Sequence, residues 1–270
     1  MEHRSLVSPE WLESHLNEPR VRVVQSDMTL DDYQKGHIPG AVFWHSLQDV
    51  LLSDLSLNLG VTHWDQLMSR SGIERDSIVV FSSPYAPTSP YLKWVLGLFG
   101  HPESRILDGG SARWKREGRS LEKHWNEPTP THYHAAPLNN RTRAFEADVV
   151  AAQNNPNAIL IDARTIQEFR GELFMLEPPK DGQKAGHIEG ALHLPFELAM
   201  QPNDTFKNLD DLRELYASHG ITPDHEIITY CTVGARSSLT WFVLSELLGF
   251  SSVRNYDGSW NQWSRRQDVP

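Results

Sequence analysis

The chain repeats one short pattern, G-H-I-x-G-A, in two segments whose histidines, His37 and His187, lie 150 residues apart. Two further pairs of similar segments follow in the same order, residues 77–100 with 226–250 and residues 105–114 with 253–260. A period of this length is typical of a duplicated domain, since the units of solenoid proteins repeat every ~20–50 residues. A chain of 270 residues is also long enough for two domains. The repeat therefore predicts two tandem copies of one fold.

The join between the two copies is a segment with three prolines and no helical or strand periodicity, EKHWNEPTPTHYHAAPLNNRT at 122–142. Such a composition is typical of an extended linker. His132 and His134 in this segment have no third metal-ligating residue at a suitable spacing, so we expect them to be solvated. We therefore predict a first domain at 1–122, a linker at 123–142 and a second domain at 143–270.

Segments typical of strands and of helices alternate within each copy. In the second copy, short apolar runs predict strands at 158–163, 190–195, 225–230 and 252–258, and apolar residues at helical spacing predict helices at 148–153, 209–221 and 237–250. Such alternation predicts an α/β fold in which a mostly parallel sheet carries helices on both faces.

Charge and hydropathy exclude some classes of function. The net charge of −10 at pH 7 argues against general nucleic-acid binding, which needs a basic face to neutralise phosphates. No apolar run approaches the ~18 residues that span a bilayer, and the N-terminus lacks the apolar core of a secretory signal. A lone cysteine fits a reducing compartment, so we expect a cytoplasmic protein with neither a nucleic-acid nor a membrane partner.

The lone cysteine, Cys231, lies where a predicted strand ends and the next helix is about to begin. Ligands bind at this edge of parallel α/β sheets, and a helix N-terminus favours anions and thiolates because its first N–H groups are unpaired. Gly234 can take a positive φ that turns successive amides inward, Arg236 adds a permanent charge, and Ser237 is placed to cap the helix. We interpret Cys231 and Arg236 as catalytic residues in an anion-binding loop that also contains Thr232, Val233, Gly234, Ala235 and Ser237. The alternative is a buried cysteine that acts as a small hydrophobe.

These segments resemble the rhodanese family in its tandem-domain form, because GHIPGA, GHIEGA, DARTIQEFRGE, YCTVGARSS and two D-G turns occur in the family's usual order. The resemblance covers nearly the whole chain and implies two tandem rhodanese-like domains. It implies that Cys231 attacks the outer sulfur of an anionic donor such as thiosulfate, releases sulfite and holds a persulfide. A thiophilic acceptor (cyanide, a small thiol or a protein thiol) then takes that sulfur. No metal or organic cofactor is required.

The first copy has Ser82 where the second has Cys231, since each precedes its D-G aspartate, Asp108 or Asp257, by 26 residues. A serine cannot form a persulfide. The loop that follows in the first copy also carries prolines at 84, 87 and 90 and no arginine. We therefore expect the first domain to be inactive.

Two further arginines, Arg164 and Arg170, lie in the segment DARTIQEFRGE. The resemblance implies that both bind the anionic group of the donor. The alternative is that they form ion pairs, which are worth ~0–1 kcal/mol when exposed. His37 and His187 recur in both copies, including the copy without a thiol, so we expect them to have a structural role.

The identity of the donor stays open between two compounds. Family members that prefer 3-mercaptopyruvate usually have glycine second, serine or alanine third and threonine last in the loop, where this chain has Thr232, Val233 and Arg236. A basic residue in the loop favours thiosulfate, whereas the arginine of FRGE favours mercaptopyruvate. Two other classes are a cysteine phosphatase, whose loop is one residue longer than C-x₄-R, and a non-catalytic rhodanese-like binding module, in which Cys231 would be dispensable.

Overall fold

The computed structural model describes residues 4–175, 177–180 and 183–267. These residues form two compact units. The first comprises the described residues up to Asn139 together with Pro202–Phe206, and the second comprises Asn140–Gln201 and the described residues from Lys207 onward. No helix in this part of the chain is long and apolar enough to cross a membrane.

Strands and helices alternate strictly along the first unit: β1 Leu6–Val7, α1 Pro9–His15, β2 Val21–Asp27, α2 Asp31–Lys35, β3 Val42–His45, α3 Val61–Arg70, β4 Ile78–Ser82, α4 Thr88–Leu98, β5 Ser104–Leu107 and α5 Gly110–Arg116. The strands pair in parallel in the order β1-β5-β4-β2-β3. The central strand β4 is buried at every residue, which is typical of a parallel sheet covered on both faces.

Alternate residues of the strands divide between the two faces of the first sheet. One face packs against α2 and α5 through Tyr33 and Trp114. On the other face, the Trp44 ring centroid lies 5.9 Å from that of Phe81 and 6.2 Å from that of Trp64 in α3. Helices therefore cover both faces, as predicted.

The second unit contains α6 Glu146–Gln153, β6 Ala158–Asp162, α7 Ile166–Phe169, β7 Leu192–His193, α8 Leu209–Ser218, β8 Glu226–Tyr230, α9 Ala235–Phe242, β9 Val253–Asn255 and α10 Ser259–Trp263. Short 3₁₀ turns lie at Asn140–Thr142 and Phe196–Ala199, and a π-helical turn, Val243–Leu247, continues α9. The strands again pair in parallel, in the order β7-β6-β8-β9. The α/β fold with two parallel sheets is therefore confirmed.

The registers of the two sheets fix which residues of the units are equivalent. Val42 and Leu192 hold the same place in the repeated pattern, and the strand pairs that they begin make three positions correspond: Val24 with Ile161, Gln25 with Asp162, and Ser82 with Tyr230.

The prediction that Ser82 takes the place of Cys231 is therefore wrong by one residue, and the equivalent residue is Ser83. Ser83 precedes Asp108 by 25 residues, whereas Cys231 precedes Asp257 by 26. Counting back from the aspartates assumed equal spacing after the thiol position, whereas the first unit has one residue fewer there. Since both residues are serines, the first unit still has no thiol at this position.

The segment that the sequence marks as a linker lies against the first unit up to Asn139. Tyr133 is buried, and its hydroxyl lies 3.0 Å from His101 Nδ1 and accepts a hydrogen bond from Arg75 at 3.2 Å. Burial lowers the pKa of His101 to about 4 despite its hydrogen bond to a backbone carbonyl. His132 and His134 are both exposed, as predicted. The segment is thus held against the first unit by side-chain contacts and by backbone hydrogen bonds such as that from the Thr131 N–H to the Ser69 carbonyl.

Candidate active site

Cys231 is the first of the four residues that connect β8 to α9. Its side chain is only 1% exposed. Its Sγ accepts a hydrogen bond from the Gly234 N–H at 3.2 Å. The thiol therefore lies at the carboxyl end of a central strand and at the N-terminal end of a helix, where ligands bind in parallel α/β sheets.

Gly234 shapes the loop around this thiol. Its φ is +88°, a value that residues other than glycine rarely adopt, and this confirms the positive φ expected from the sequence. A Cβ at this position would also lie 2.8 Å from the Cα of Asp257. Glycine is thus required both for the turn and for the close approach of the D-G turn.

The helix is not capped as the sequence suggested. Its N-cap residue is Gly234, and Ser237 is the third residue of α9, so the prediction that Ser237 caps the helix is wrong. The Ser237 hydroxyl instead lies 2.7 Å from Asn255 Oδ1 and 3.1 Å from the Gly234 carbonyl oxygen. Because Ser237 is completely buried, these contacts tie the first turn of the helix to the end of β9.

The pKa of the Cys231 thiol lies below its ordinary value. Burial by itself raises the pKa, but the charge of Arg236, the amide and hydroxyl of Ser237 and the amide of Val233 together lower it further than burial raises it. The thiolate is the nucleophilic form of cysteine. The loop therefore favours the reactive form of its thiol.

Arg236 is held by a residue that the sequence analysis missed. Its Nη1 and Nη2 donate to the two carboxylate oxygens of Glu168 at 2.6 and 2.7 Å, and Nη2 also donates to Thr232 Oγ1 at 2.7 Å. The Thr232 hydroxyl in turn donates to Glu168 Oε1 at 3.0 Å. Such fork-to-fork pairs are among the strongest charge-assisted hydrogen bonds. The guanidinium that we expected to face a bound oxyanion is thus bonded to a carboxylate.

Glu168 itself is fixed at the start of α7. Thr165, the N-cap of this helix, donates its hydroxyl to Glu168 Oε2 at 2.9 Å and accepts the Glu168 N–H. Burial raises the pKa of Glu168, but Arg236 and Thr165 lower it below its ordinary value. The sequence signal was the pattern T-x-x-E at 165–168, which is typical of a capping box.

The two other predicted donor-binding arginines differ in exposure. Arg164 is 1% exposed, its guanidinium donates to both oxygens of Asp162, and Nη2 also donates to the Gly186 carbonyl at 2.7 Å. Its charge also lies over the ring of Trp260, 5.0 Å from the centroid. For Arg164 this geometry favours the ion-pair alternative, and contact with a donor would require the pair with Asp162 to open. Arg170 ends α7 and is exposed.

The loop is also held from the side of β9 and α10, by three residues that the sequence analysis missed. Asn255 Nδ2 donates to the Gly234 carbonyl at 3.1 Å. The Cys231 N–H donates to the Ser259 hydroxyl at 3.0 Å, and the Trp260 N–H donates to the Cys231 carbonyl at 3.0 Å. No spacing rule marks these residues, because only the pairing of β8 with β9 brings them beside the loop.

Of the remaining loop residues, Thr232 is buried, whereas Val233 and Ala235 are half-buried.

His37 stacks on Tyr33 and His187 stacks on Phe169, each with ring centroids 3.7 Å apart, and each Nδ1 lies 2.9 Å from the carbonyl oxygen of the residue on which it stacks. The same arrangement in both units favours a structural role. Within 4–175, 177–180 and 183–267, no three His, Cys, Asp or Glu side chains form a group that could hold a metal.

The chain is similar to known proteins along nearly its whole length. The rhodanese-like domain family matches it twice, at residues 8–117 and 146–266. A sulfur carrier protein, TtuD, from Thermus thermophilus is 37% identical over 98% of this chain and 95% of its own length. A Mycobacterium tuberculosis protein that carries the provisional name thiosulfate sulfurtransferase is also 37% identical, over 98% of this chain and 96% of its own length.

Solved structures show the same architecture. SseA from Escherichia coli, described as a 3-mercaptopyruvate sulfotransferase with the rhodanese fold, matches with a TM-score of 0.78 and 27% identity over 94% of this chain and 98% of its own. An anaerobic ergothioneine biosynthesis enzyme from Chlorobium limicola matches with a TM-score of 0.88 over 99% of this chain and 69% of its own. Its identity is 21%, so this second likeness concerns the fold alone.

Proposed function

Because the chain belongs to the rhodanese family, we propose that it is a sulfurtransferase that carries the transferred sulfur on Cys231. The observation that carries this proposal is the setting of its one thiol. Cys231 lies in the loop that leads into α9, its sulfur accepts a hydrogen bond from the Gly234 N–H, and its pKa is lowered. A thiolate in such a position can attack a sulfur atom at neutral pH.

The first step forms a persulfide. The Cys231 thiolate attacks the outer sulfur of thiosulfate, the bond between the two sulfur atoms of the donor breaks, and sulfite leaves with the electron pair. Three negative charges are present before the step and three after it, one on the persulfide and two on sulfite. The Gly234 N–H is the group in contact with Sγ, and amides of this kind stabilise charge that builds up on the transferring sulfur.

The second step returns the free thiolate. A thiophilic acceptor attacks the outer sulfur of the persulfide, and the bond to the Cys231 sulfur breaks. With cyanide the product is thiocyanate, and with a small thiol or a protein thiol the product is a new persulfide. The name of the Thermus relative, a sulfur carrier protein, favours a protein thiol as the acceptor.

The proposed site residues follow from these steps. Cys231 is the nucleophile. Arg236, which is paired with Glu168, places a positive charge beside the loop. The loop that surrounds the sulfur contains Thr232, Val233, Gly234, Ala235 and Ser237. We propose that Arg170, which is exposed, contacts the anionic group of the donor, and that Arg164 contacts it only if its pair with Asp162 opens. The catalytic domain is then 143–270, and the domain at 1–122 is inactive.

Thiosulfate is the proposed donor, and 3-mercaptopyruvate is the second candidate. The charge of Arg236 favours a compact dianion, and a relative with 37% identity carries the provisional name of a thiosulfate enzyme. The likeness to SseA, at 27% identity, favours mercaptopyruvate instead. A donor that reacts through the same persulfide leaves the role of Cys231 unchanged.

Intact mass spectrometry tests the proposal. The protein is mixed with thiosulfate or with mercaptopyruvate, freed of the small molecule and weighed, with Cys231→Ser as the matched control. We expect a gain of about one sulfur atom that cyanide removes and that the variant lacks. The donor that loads faster identifies the preferred substrate. No gain with either donor would favour the non-catalytic binding module.

A further inference from the structure

Ser259 has a backbone conformation that is unfavourable for its side chain. Its φ is +49°, in the left-handed region, and the residue is completely buried in the first turn of α10. Glycine adopts this region readily, whereas a Cβ there approaches the following carbonyl oxygen. Non-glycine residues that keep such a conformation often occur at functional sites, where surrounding contacts hold them in place.

The first unit has glycine at the equivalent position. Asp108 corresponds to Asp257 in the D-G turns, so Gly110 corresponds to Ser259. Gly110 has a φ of +55°, close to that of Ser259. A Cβ at Gly110 would overlap the carbonyl oxygen of Ser83, the residue that corresponds to Cys231. The same turn therefore uses glycine beside the serine loop and a strained serine beside the thiol loop.

The hydroxyl of Ser259 has a defined orientation. It donates its proton to the Tyr256 carbonyl at 2.7 Å, so that a lone pair of its oxygen faces the Cys231 N–H, which donates to it at 3.0 Å. The Cys231 N–H thus ties the loop to Ser259, while the Gly234 N–H points at the Cys231 sulfur. Of these two amides, only that of Gly234 faces the thiol.

We propose that Ser259 is a positioning residue, whose hydroxyl binds the Cys231 N–H and so sets the orientation in which the thiol meets the Gly234 N–H. This role rests on the proposed function only in so far as Cys231 is the nucleophile. The orientation of the thiol itself can be measured without any sulfur donor.

Two substitutions separate this role from a contribution to folding. Ser259→Gly removes the hydroxyl and relieves the backbone strain, because it introduces the residue that the first unit has at this place. Ser259→Ala removes the hydroxyl and keeps the strain. We expect Ser259→Gly to unfold at a higher temperature than Ser259→Ala, and both to show the same change in thiol reactivity.

The reactivity is measured as the rate of Cys231 alkylation by iodoacetamide between pH 5 and 10. In both variants we expect the midpoint of this profile to move to higher pH and the rate of sulfur loading from thiosulfate to fall about tenfold or more. Asp204→Gly is the control, since Asp204 is exposed, has a φ of +64° and is not one of the residues that form or hold this loop. It should leave the alkylation profile unchanged.

An alkylation profile for Ser259→Gly that matches that of the parent protein overturns the proposal. Loss of folding in both variants also overturns it, because the hydroxyl would then support the fold instead of the loop. Failure of the parent protein to load sulfur from any donor would contradict the proposed function, but the alkylation profiles would still decide the role of Ser259.

Discussion

The loop after β4 in the first unit and the loop after β8 in the second follow equivalent strands of the same fold, yet different groups contact their first residues. Cys231 is contacted by the Gly234 N–H and the Ser259 hydroxyl. The Ser83 hydroxyl accepts the Tyr85 N–H at 3.2 Å, but the loop that follows has prolines at 84 and 87, and Gly110 stands where the other unit has Ser259. Equivalent loop positions of one fold therefore acquire different surroundings from residues on neighbouring elements.

The strand ends beneath the two loops differ in the same way. In the second unit, Asp162 is satisfied by the buried guanidinium of Arg164. The equivalent Gln25 leaves its Oε1, and its neighbour Ser82 leaves its Oγ, without a hydrogen-bond partner among the described residues. A buried polar atom in this state costs about 1–3 kcal/mol. The second unit therefore has a fully bonded support beneath its loop, which the first unit lacks.

The largest expected difference between the two loops is the result of removing the first side chain of each. Cys231→Ser should abolish sulfur loading without unfolding the protein, because the substitution is nearly isosteric. Ser83→Ala should leave loading unchanged. Intact mass after incubation with thiosulfate measures both, and turnover in Cys231→Ser would contradict the persulfide mechanism.

Removal of the charge in the second loop should have the next largest effect. Arg236→Ala removes a charge that lowers the pKa of Cys231, so the alkylation midpoint should move to higher pH. We expect kcat/KM for thiosulfate to fall about ten- to hundredfold, on the order of one lost charge-assisted hydrogen bond of about 1–3 kcal/mol.

Arg236→Ala also leaves the buried carboxylate of Glu168 without its positively charged partner. The double variant Arg236→Ala, Glu168→Gln is therefore the matched control, because it removes both charges. An unchanged kcat/KM in Arg236→Ala would exclude Arg236 from the site.

A thiol placed in the first loop tests whether the position alone makes a cysteine reactive. In a Cys231→Ser background, Ser83→Cys introduces one buried thiol beside a loop with no arginine. We expect it to react with iodoacetamide at pH 7 at least about ten times more slowly than Cys231 does in the parent protein, since burial raises a thiol pKa. Comparable rates would mean that the fold, without the polar residues, activates the thiol.

The smallest expected effect concerns the carboxylate that binds Arg236. Glu168→Gln removes a negative charge near the guanidinium and keeps an oxygen for the Thr232 hydroxyl. With its charge no longer balanced, Arg236 should lower the pKa of Cys231 further, so the alkylation midpoint should move to lower pH. A midpoint that moves to higher pH would show that Glu168 acts mainly by holding the loop in place.

Elements with strong local patterns were predictable from the sequence. The helix expected at 209–221 is α8, Leu209–Ser218, and the strand expected at 225–230 is β8, Glu226–Tyr230. The positive φ of Gly234 could also be predicted, because the turn chemistry of glycine is local. The prediction that Ser237 caps the helix was wrong because α9 begins two residues before Ser237. A polar residue near the start of a helix does not show where the first turn of that helix begins.

The sequence by itself determined the duplication, the α/β class and the placement of one thiol between a strand and a helix. Repeated motifs reveal the duplication, and strands and helices can be recognised from the apolar pattern of a few neighbouring residues. The tertiary structure decided which groups meet that thiol and its arginine. Glu168 reaches Arg236 across 68 residues of chain, and Ser259 reaches Cys231 across 28. Strand register likewise decided that Ser83, not Ser82, corresponds to Cys231. Such pairings depend on how distant strands align, and no local pattern encodes that alignment.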